Sequence, residues 1–285
     1  MSGTHLDPTR RHDAVVLFEV TDANPNGDPD AENQPRTDDE TGHGLVTDVS
    51  MKRRIRDTVA MLHGDDERFQ IFVEARSALN PRWEQARAAS KKDDKLGAVQ
   101  RMCAWYFDVR MFGAVLTGGG KGASAQVRGP VQMGFARSLH PVLPSSHMIT
   151  RVTQTRQEDI DKGERNEIGS KWTVPYGLYR AHLHYSAPRG MQTGVTEEDM
   201  AALWRATAMM FECTRSATGV MDVVGLHVFT HQDAFGAAPS KALFGRVRHE
   251  SMSGAPRKHT DYEQAITAGE VPGVTMTTLV DAWAS

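Results

Sequence analysis

Asp22, Asn24, Asn26, Asp28 and Asp30 alternate around a glycine in the run Asp22-x-Asn24-x-Asn26-Gly27-Asp28-x-Asp30. Oxygen donors at that spacing, with Gly at the sharp turn, fit the first nine positions of a calcium-binding EF-hand loop. The twelfth position is Asn33 rather than a bidentate Glu, and a strand stands where the incoming helix would run, so the calcium reading fails. A looser reading takes Asp28, Asp30 and Asp38 as a magnesium cluster that activates water for nuclease chemistry. Its rival is an Asx-rich loop whose side chains cap its own backbone. Gly118-Gly119-Gly120-Lys121-Gly122 lacks the Ser or Thr that should follow the lysine of a nucleotide loop, yet its open N–H groups and Lys121 suit a phosphate backbone. His182-x-His184 puts two imidazoles on one strand face with no third ligand at a recognisable spacing, which fits ordinary histidines better than a metal site. There is no Gly-x-Ser-x-Gly elbow, and neither Cys103 nor Cys213 carries a nucleophile signature.

Lys52-Arg53-Arg54-x-Arg56 is a denser signal. Thr47 or Asp48 supplies an N-cap for a helix reaching about Leu62 and closed by Gly64, with Met51, Ile55, Val59 and Leu62 as its apolar stripe. Lys52 and Arg56 flank that stripe one turn apart, and Arg53 lies nearly opposite it. No acidic residue interleaves within the run, so it reads as four cations without i,i+4 carboxylates, a set that an external anion such as RNA phosphate would neutralise.

The remaining elements must position these residues. Residues 14–20 (AVVLFEV) read as a strand buried on both faces, followed by a polar, Pro- and Gly-rich loop over 21–44. A second strand is predicted over 69–76 and a charged helical insertion over 79–105. Val131, Met133 and Phe135 alternate as in a half-buried strand, and 149–156 with 168–174 read as a protruding β-hairpin around a polar turn. Thr196 starts a helix with Met200, Leu203, Trp204 and Phe211 inward, and 221–229 is a last core strand; after Ala238 no strong signal appears. The order β-α-β, β-α-β predicts an α+β fold of ferredoxin-like or RRM type, an antiparallel sheet backed by helices.

Over 285 residues the apolar share is 39 % and the charged share 24 %, enough for a core and against wholesale disorder. No apolar run is long enough to span a bilayer, and the N-terminus lacks a signal-peptide pattern, so the expectation is a cytoplasmic protein without a membrane partner. Two distant cysteines build no disulfide framework. The net charge of −3 conceals an asymmetry: residues 1–50 carry −8 and the rest +5. Residues 106–156 hold Arg110, Lys121, Arg128, Arg137, Arg151 and Arg156 against Asp108, a locally basic surface suited to phosphate.

Several blocks taken together closely resemble one family. They are Asn24-Pro25-Asn26-Gly27-Asp28-Pro29-Asp30, Asn33-x-Pro35-Arg36-x-Asp38, and Thr41-Gly42-x-Gly44-Leu45-Val46-Thr47-Asp48-Val49 running into the basic helix. Asp108-Val109-Arg110-x-Phe112-Gly113, Gly129-Pro130-Val131-Gln132, Ile149-Thr150-Arg151, Val174-Pro175-Tyr176-Gly177-Leu178-Tyr179 and Ser216-Ala217 continue it. The chain resembles the backbone subunit of the type I-C CRISPR Cascade, in the Cas seven family of CRISPR-associated proteins. That resemblance implies one elaborated RRM-like domain over 1–285: a palm, helical fingers at 79–105 and a β-hairpin thumb at 149–174. It implies a non-catalytic subunit that polymerises as a helical filament along CRISPR RNA beside other Cascade subunits, presenting the guide to target DNA, with no metal and no cofactor. The guide would then lie along Asn24, Asn26, Gly27, Asn33 and Arg36 of the loop, and Lys52, Arg53 and Arg56 of the helix. Further contacts would come from Phe112 and Gly113, from Lys121, Arg128, Gly129 and Gln132, and from Thr150 and Arg151 of the thumb. Residues 131–136 lack the aromatic pair with which RRMs stack bases, so a sequence-independent grip on the backbone is expected. The alternative is a metal-dependent endoribonuclease cutting target RNA through Asp28, Asp30 and Asp38, as related type III backbone subunits do with an Asp in the loop after the first strand.

Overall fold

A computed structural model describes residues 3–90, 94–118, 124–153, 155–161, 167–215, 219–267 and 269–284. The first strand, His12–Ala23, sits at the centre of an antiparallel sheet because its side chains are apolar on both faces. Glu167–Tyr185 pairs along one side of it and Val220–His231 along the other. Beyond Glu167–Tyr185 come Val131–Met133, Ala136–Pro141 and Ser145–Arg151, with His43–Val46 outside Ala136–Pro141; Val274–Asp281 forms the opposite edge.

Two helices cover one face. Asp48–His63 is capped by Thr47, whose hydroxyl accepts the Ser50 N–H, and it buries Met51, Ile55 and Val59. Each of those side chains contributes about 1.5–3 kcal/mol by leaving water. Glu197–Met209 starts in a capping box between Thr196 and Asp199 and turns Met200, Leu203 and Trp204 inward. Between helices and sheet, Phe18 stacks on Tyr179 at 5.3 Å.

The second face is covered by the stretch after Ala238, where the sequence alone shows no strong signal. Leu243, Phe244, Val247 and Tyr262, the last two from the ribbon Val247–Ser251 with Tyr262–Ile266, pack onto Val15, Leu17, Tyr176, Leu178 and Phe229. Arg180 donates to the carbonyls of Val247 and Phe244 at 2.6 Å each, and Glu19 accepts the His259 N–H at 3.0 Å. An indole closes the clamp, Trp283 donating to the Tyr262 carbonyl at 3.0 Å.

The insertion carries the helices Leu79–Ala88 and Lys95–Trp105 and leads into Phe107–Phe112. It has its own small core around Phe72, Trp83, Met102, Tyr106 and Leu116. The expected strand at 69–76 does not form. Phe69 and Ile71 point into the main core and Phe72 into the insertion, while the Phe72 and Val73 N–H groups bond to the Asp108 carboxylate instead of a neighbouring strand. The strand at 131–136 is interrupted at Gly134-Phe135, leaving Phe135 exposed. The hairpin pairs Ser145–Arg151 with residues 167–173, and Gln157–Asp161 is a helical turn. Lys121 and its glycine neighbours 119, 120 and 122, together with Ser216 and Ala217, lie outside the described residues, as do positions 162–166 of the expected hairpin turn. Among the described residues no helix is long and apolar enough to cross a membrane.

Candidate nucleic-acid interface

The polar loop after the first strand is held by its own hydrogen bonds. Asn26 Oδ1 accepts both the N–H and the hydroxyl of Thr47 at 2.9 Å, tying the loop to the N-terminus of the basic helix. Asn24 donates to the Asn33 carbonyl at 2.7 Å, and Arg36 pairs with Asp28 at 3.0 Å. Gly27 leaves no room for a side chain, because a Cβ there would lie 1.9 Å from Asn33 Oδ1. Asn33 itself sits at a φ of +62°, in the left-handed region that Asn tolerates better than most residues. Asp38 accepts the N–H groups of Glu40 and Thr41 and pairs with Arg137 at 2.5 Å. The Arg137 bond first, then the Thr41 N–H, pull its carboxyl down to about 2. Asp28 and Asp38 are thus engaged by separate arginines. Among the described residues no group of three or more His, Cys, Asp or Glu is placed to hold a metal.

The basic helix departs from the expectation of unpaired cations. Its cations do have carboxylate partners: Lys52 with Asp48 at 2.8 Å and Arg53 with Asp57 at 2.9 Å, both at i,i+4 spacing. Those aspartates lie outside the cation run and inside the helix, where the sequence already displays them. Arg54 donates to Thr214 Oγ1 at 2.9 Å and lies over the Phe211 ring at 5.1 Å. Arg56, 11 % exposed, donates Nε to Asp108 at 2.8 Å. Lys52 and Arg56 both lie over Phe112, at 6.0 and 5.1 Å from its ring centre. Arg53 points outward with 55 % of its side chain exposed.

Asp108 and Arg110 anchor this region from inside, and Arg110, expected on a basic surface, is instead buried against Asp199. Asp108 is buried and accepts from Arg56, Phe72 N–H at 2.7 Å and Val73 N–H at 3.0 Å. Arg110 is fully buried and grips Asp199 through Nη2 at 2.5 Å and Nε at 3.0 Å, with Arg68 on the same carboxylate at 2.5 Å. Burial alone would raise the Asp199 carboxyl; Arg110, the Thr196 N–H and Arg68 together hold it below its ordinary value. Phe112 then hands over to Gly113, at a φ of +83°, and a Cβ there would meet the Gly129 N at 2.5 Å. At Gly129 a Cβ would lie 2.2 Å from the Phe112 carbonyl carbon, so the two backbones cross with only hydrogen between them. Gln132 donates to the Gly129 carbonyl at 3.1 Å, and Arg128 is exposed.

A continuous band results: the Asn26 loop, the first turns of the basic helix, Phe112, the Gly113–Gly129 crossing, then Gln132. Thr150 and Arg151 sit apart from it, exposed on the hairpin, where Arg151 donates to Thr153 O at 3.0 Å. The second sheet face cannot stack bases along its middle, because residues 243–262 occupy it.

Comparison with known proteins places this band in a context. Over 63 residues, 22 % of this chain, it is 40 % identical to the CRISPR-associated protein Cas7 of Haloferax volcanii, a match spanning 17 % of that protein's length. A chain of a structure titled CRISPR RNA-guided surveillance complex, pre-nicking, superposes with a TM-score of 0.52 at 14 % identity, covering 77 % of this chain and 78 % of that one. A chain of another, titled CRISPR RNA-guided surveillance complex, gives a TM-score of 0.47 at 17 % identity over 77 % of this chain and 68 % of its own. At such identities the 0.52 superposition speaks to fold alone, a mixed α/β architecture with a large antiparallel sheet. The family model described as CRISPR-associated protein Cas7 matches residues 10–267, and the chain therefore belongs to that family.

Proposed function

We propose that this chain is a CRISPR RNA-binding backbone subunit of a type I-C Cascade, which coats the guide copy after copy and presents it to target DNA without cutting. The observation that carries the reading is the band just described, lying within a family match that runs from the first strand to the C-terminal ribbon. The Asn-Pro-Asn-Gly and Thr-Gly-x-Gly runs of the loop support the type I-C assignment. An RRM-type palm is supported by four core strands that follow the order Val220–His231, His12–Ala23, Glu167–Tyr185, Val131–Met133, with two helices on one face. Helices at 79–105 with a separate core fit fingers, and an exposed two-stranded arm fits a thumb.

In this reading the guide is gripped by charge and shape, since the covered sheet face leaves little room for stacked bases. The role is non-catalytic: Asp28 and Asp38 are spent on Arg36 and Arg137, which supports a structural loop over a metal cluster. The test is to purify the protein from cells with and without a CRISPR array, then to incubate it with RNA complementary to the guide and magnesium. Co-purifying small RNA, read as excess absorbance at 260 nm, with the complementary RNA left intact is the expected result. Protein free of RNA would overturn the binding role, and cleaved RNA would make the chain a nuclease.

A further inference from the structure

At the corner of the second sheet face, beside the ring of Phe244, three strands carry one row of side chains. Gln132 is paired in register with His184, and His184 with Asp13. Directly opposed residues of antiparallel strands share a face, about 4.5–5.5 Å apart. Asp13 is fully buried and saturated. Its Oδ1 accepts from His184 Nδ1 at 2.5 Å and its Oδ2 from His231 Nε2 at 2.9 Å, with Arg11 Nη2 ion-paired to Oδ2 at 3.0 Å. His231 Nδ1 accepts the Ala237 N–H at 2.9 Å, which puts the ring proton on Nε2, toward Asp13. Burial alone would raise the Asp13 carboxyl, but the two imidazoles and Arg11 drive it far below the carboxylate range, so it is ionised.

Everything in this network fixes one outward-facing group. With Nδ1 committed to Asp13, the His184 ring holds Nε2 away from the sheet, and the side chain is 44 % exposed. No hydrogen-bond partner for that nitrogen exists among the described residues. Its neighbour His182 is the contrast: where His184 meets the Phe244 ring only at a tilt, 5.4 Å away, His182 stacks flat on it at 4.1 Å and accepts from Arg180 Nε. A carboxylate that locks one imidazole nitrogen and frees the other is how proteins aim a histidine at a ligand.

We propose that His184 donates a hydrogen bond from Nε2 to a phosphate of the guide RNA, with Asp13 as its positioning residue. The inference rests on the guide-binding reading, because Gln132, next in the row, bonds to Gly129 of the band. Protonated, the ring gives one N–H to the Asp13 carboxylate and the other to phosphate; neutral, Nε2 can only accept. The charged and titratable groups around the ring are Asp13, with Arg11 and His231 behind it, and His182 and Arg180 along the strand.

The test measures single-stranded RNA affinity across a salt series at about pH 8 and about pH 5.5, either side of the ordinary histidine range. For the wild type, log affinity against log salt should steepen at the lower pH by about 0.7, the share of one additional phosphate neutralised. His184→Gln places an amide nitrogen near Nε2 but cannot take a proton, so part of the steepening should vanish while its thermal midpoint stays close to wild type. His182→Gln, in the packed neighbour, should steepen like the wild type. Asp13→Asn should lose the same steepening, and His184→Gln decides the matter if that variant fails to fold. Equal steepening in His184→Gln and the wild type, or none in either, overturns the proposal and leaves guide binding standing. A wild type that binds no RNA overturns both.

Discussion

Single replacement of Arg53 and Arg56 by alanine separates the two roles that one basic helix can play. Arg56 is nearly buried and its partner Asp108 is 1 % exposed, so removing the guanidinium strands a buried carboxylate. Breaking a buried pair from one side costs about 3–5 kcal/mol, and Asp108 keeps two backbone N–H donors, which puts the cost near about 3 kcal/mol. At roughly 2–4 °C per kcal/mol for a chain of this size, the thermal midpoint should fall by about 6–12 °C. Arg53 is more than half exposed, so its pair with Asp57 is worth about 0.5 kcal/mol or less and its midpoint should barely move. RNA binding should sort them the other way. Arg53→Ala should flatten the salt slope by about 0.7, the share of one single-strand phosphate contact, whereas Arg56→Ala should weaken binding with its slope unchanged. Fluorescence anisotropy on a short RNA across a salt series, beside thermal melts, reads both. An Arg56→Ala variant that keeps its midpoint and loses slope would refute the reasoning, since the buried pair would then do nothing for the fold.

Gly129→Ala should cost about 3 kcal/mol or more, visible in chemical denaturation, because its methyl would lie 2.2 Å from the Phe112 carbonyl carbon and 2.3 Å from the Gly113 N. Met148→Ser with Ile149→Ser, both exposed on the hairpin, should leave the thermal midpoint unchanged within about 2 °C while shortening filaments on a long RNA seen by electron microscopy. The depressed carboxyl of Asp38 stabilises the 38–41 turn above its ordinary value near 3.8 and loses that contribution as pH falls through about 2. An NMR titration should therefore show the Thr41 amide shifting between pH 4 and 2, and Asp38→Asn should abolish that transition. Reversing Asp38, Asp39 and Glu40 to Lys should impair assembly between copies more than binding of one copy to a short RNA; tighter short-RNA binding with normal filaments would refute it.

Period and capping made the core legible. The 14–20 run could only be a two-sided strand, and Thr47 and Thr196 announced both covering helices. The strand expected at 69–76 failed because apolar content alone does not say where backbone N–H groups go; here a side chain, Asp108, takes two of them. The C-terminal ribbon was illegible because Val247, Tyr262 and Trp283 are spread among polar residues, and their burial depends on a sheet face built by distant segments. At the site, the residue types of the band were readable and their commitments were not. Asn26, Arg36 and Arg56 look like ligands in a line of letters, but in three dimensions each already has a protein partner. His184 went the other way: an unremarkable histidine by spacing, it is set apart from His182 only by a carboxylate 171 residues away.

The ribbon over the second sheet face also has a consequence in time. A ribosome delivers Val15, Leu17, Tyr176 and Leu178 well before Leu243, Phe244, Val247 and Tyr262, so a growing chain can complete the helix-covered side while its other face stays greasy. Closure waits for residues 243–262 to be translated, and a chain stalled before residue 243 would offer that naked face to chaperones or to aggregation. Maturation is thereby coupled to translation through residue 262.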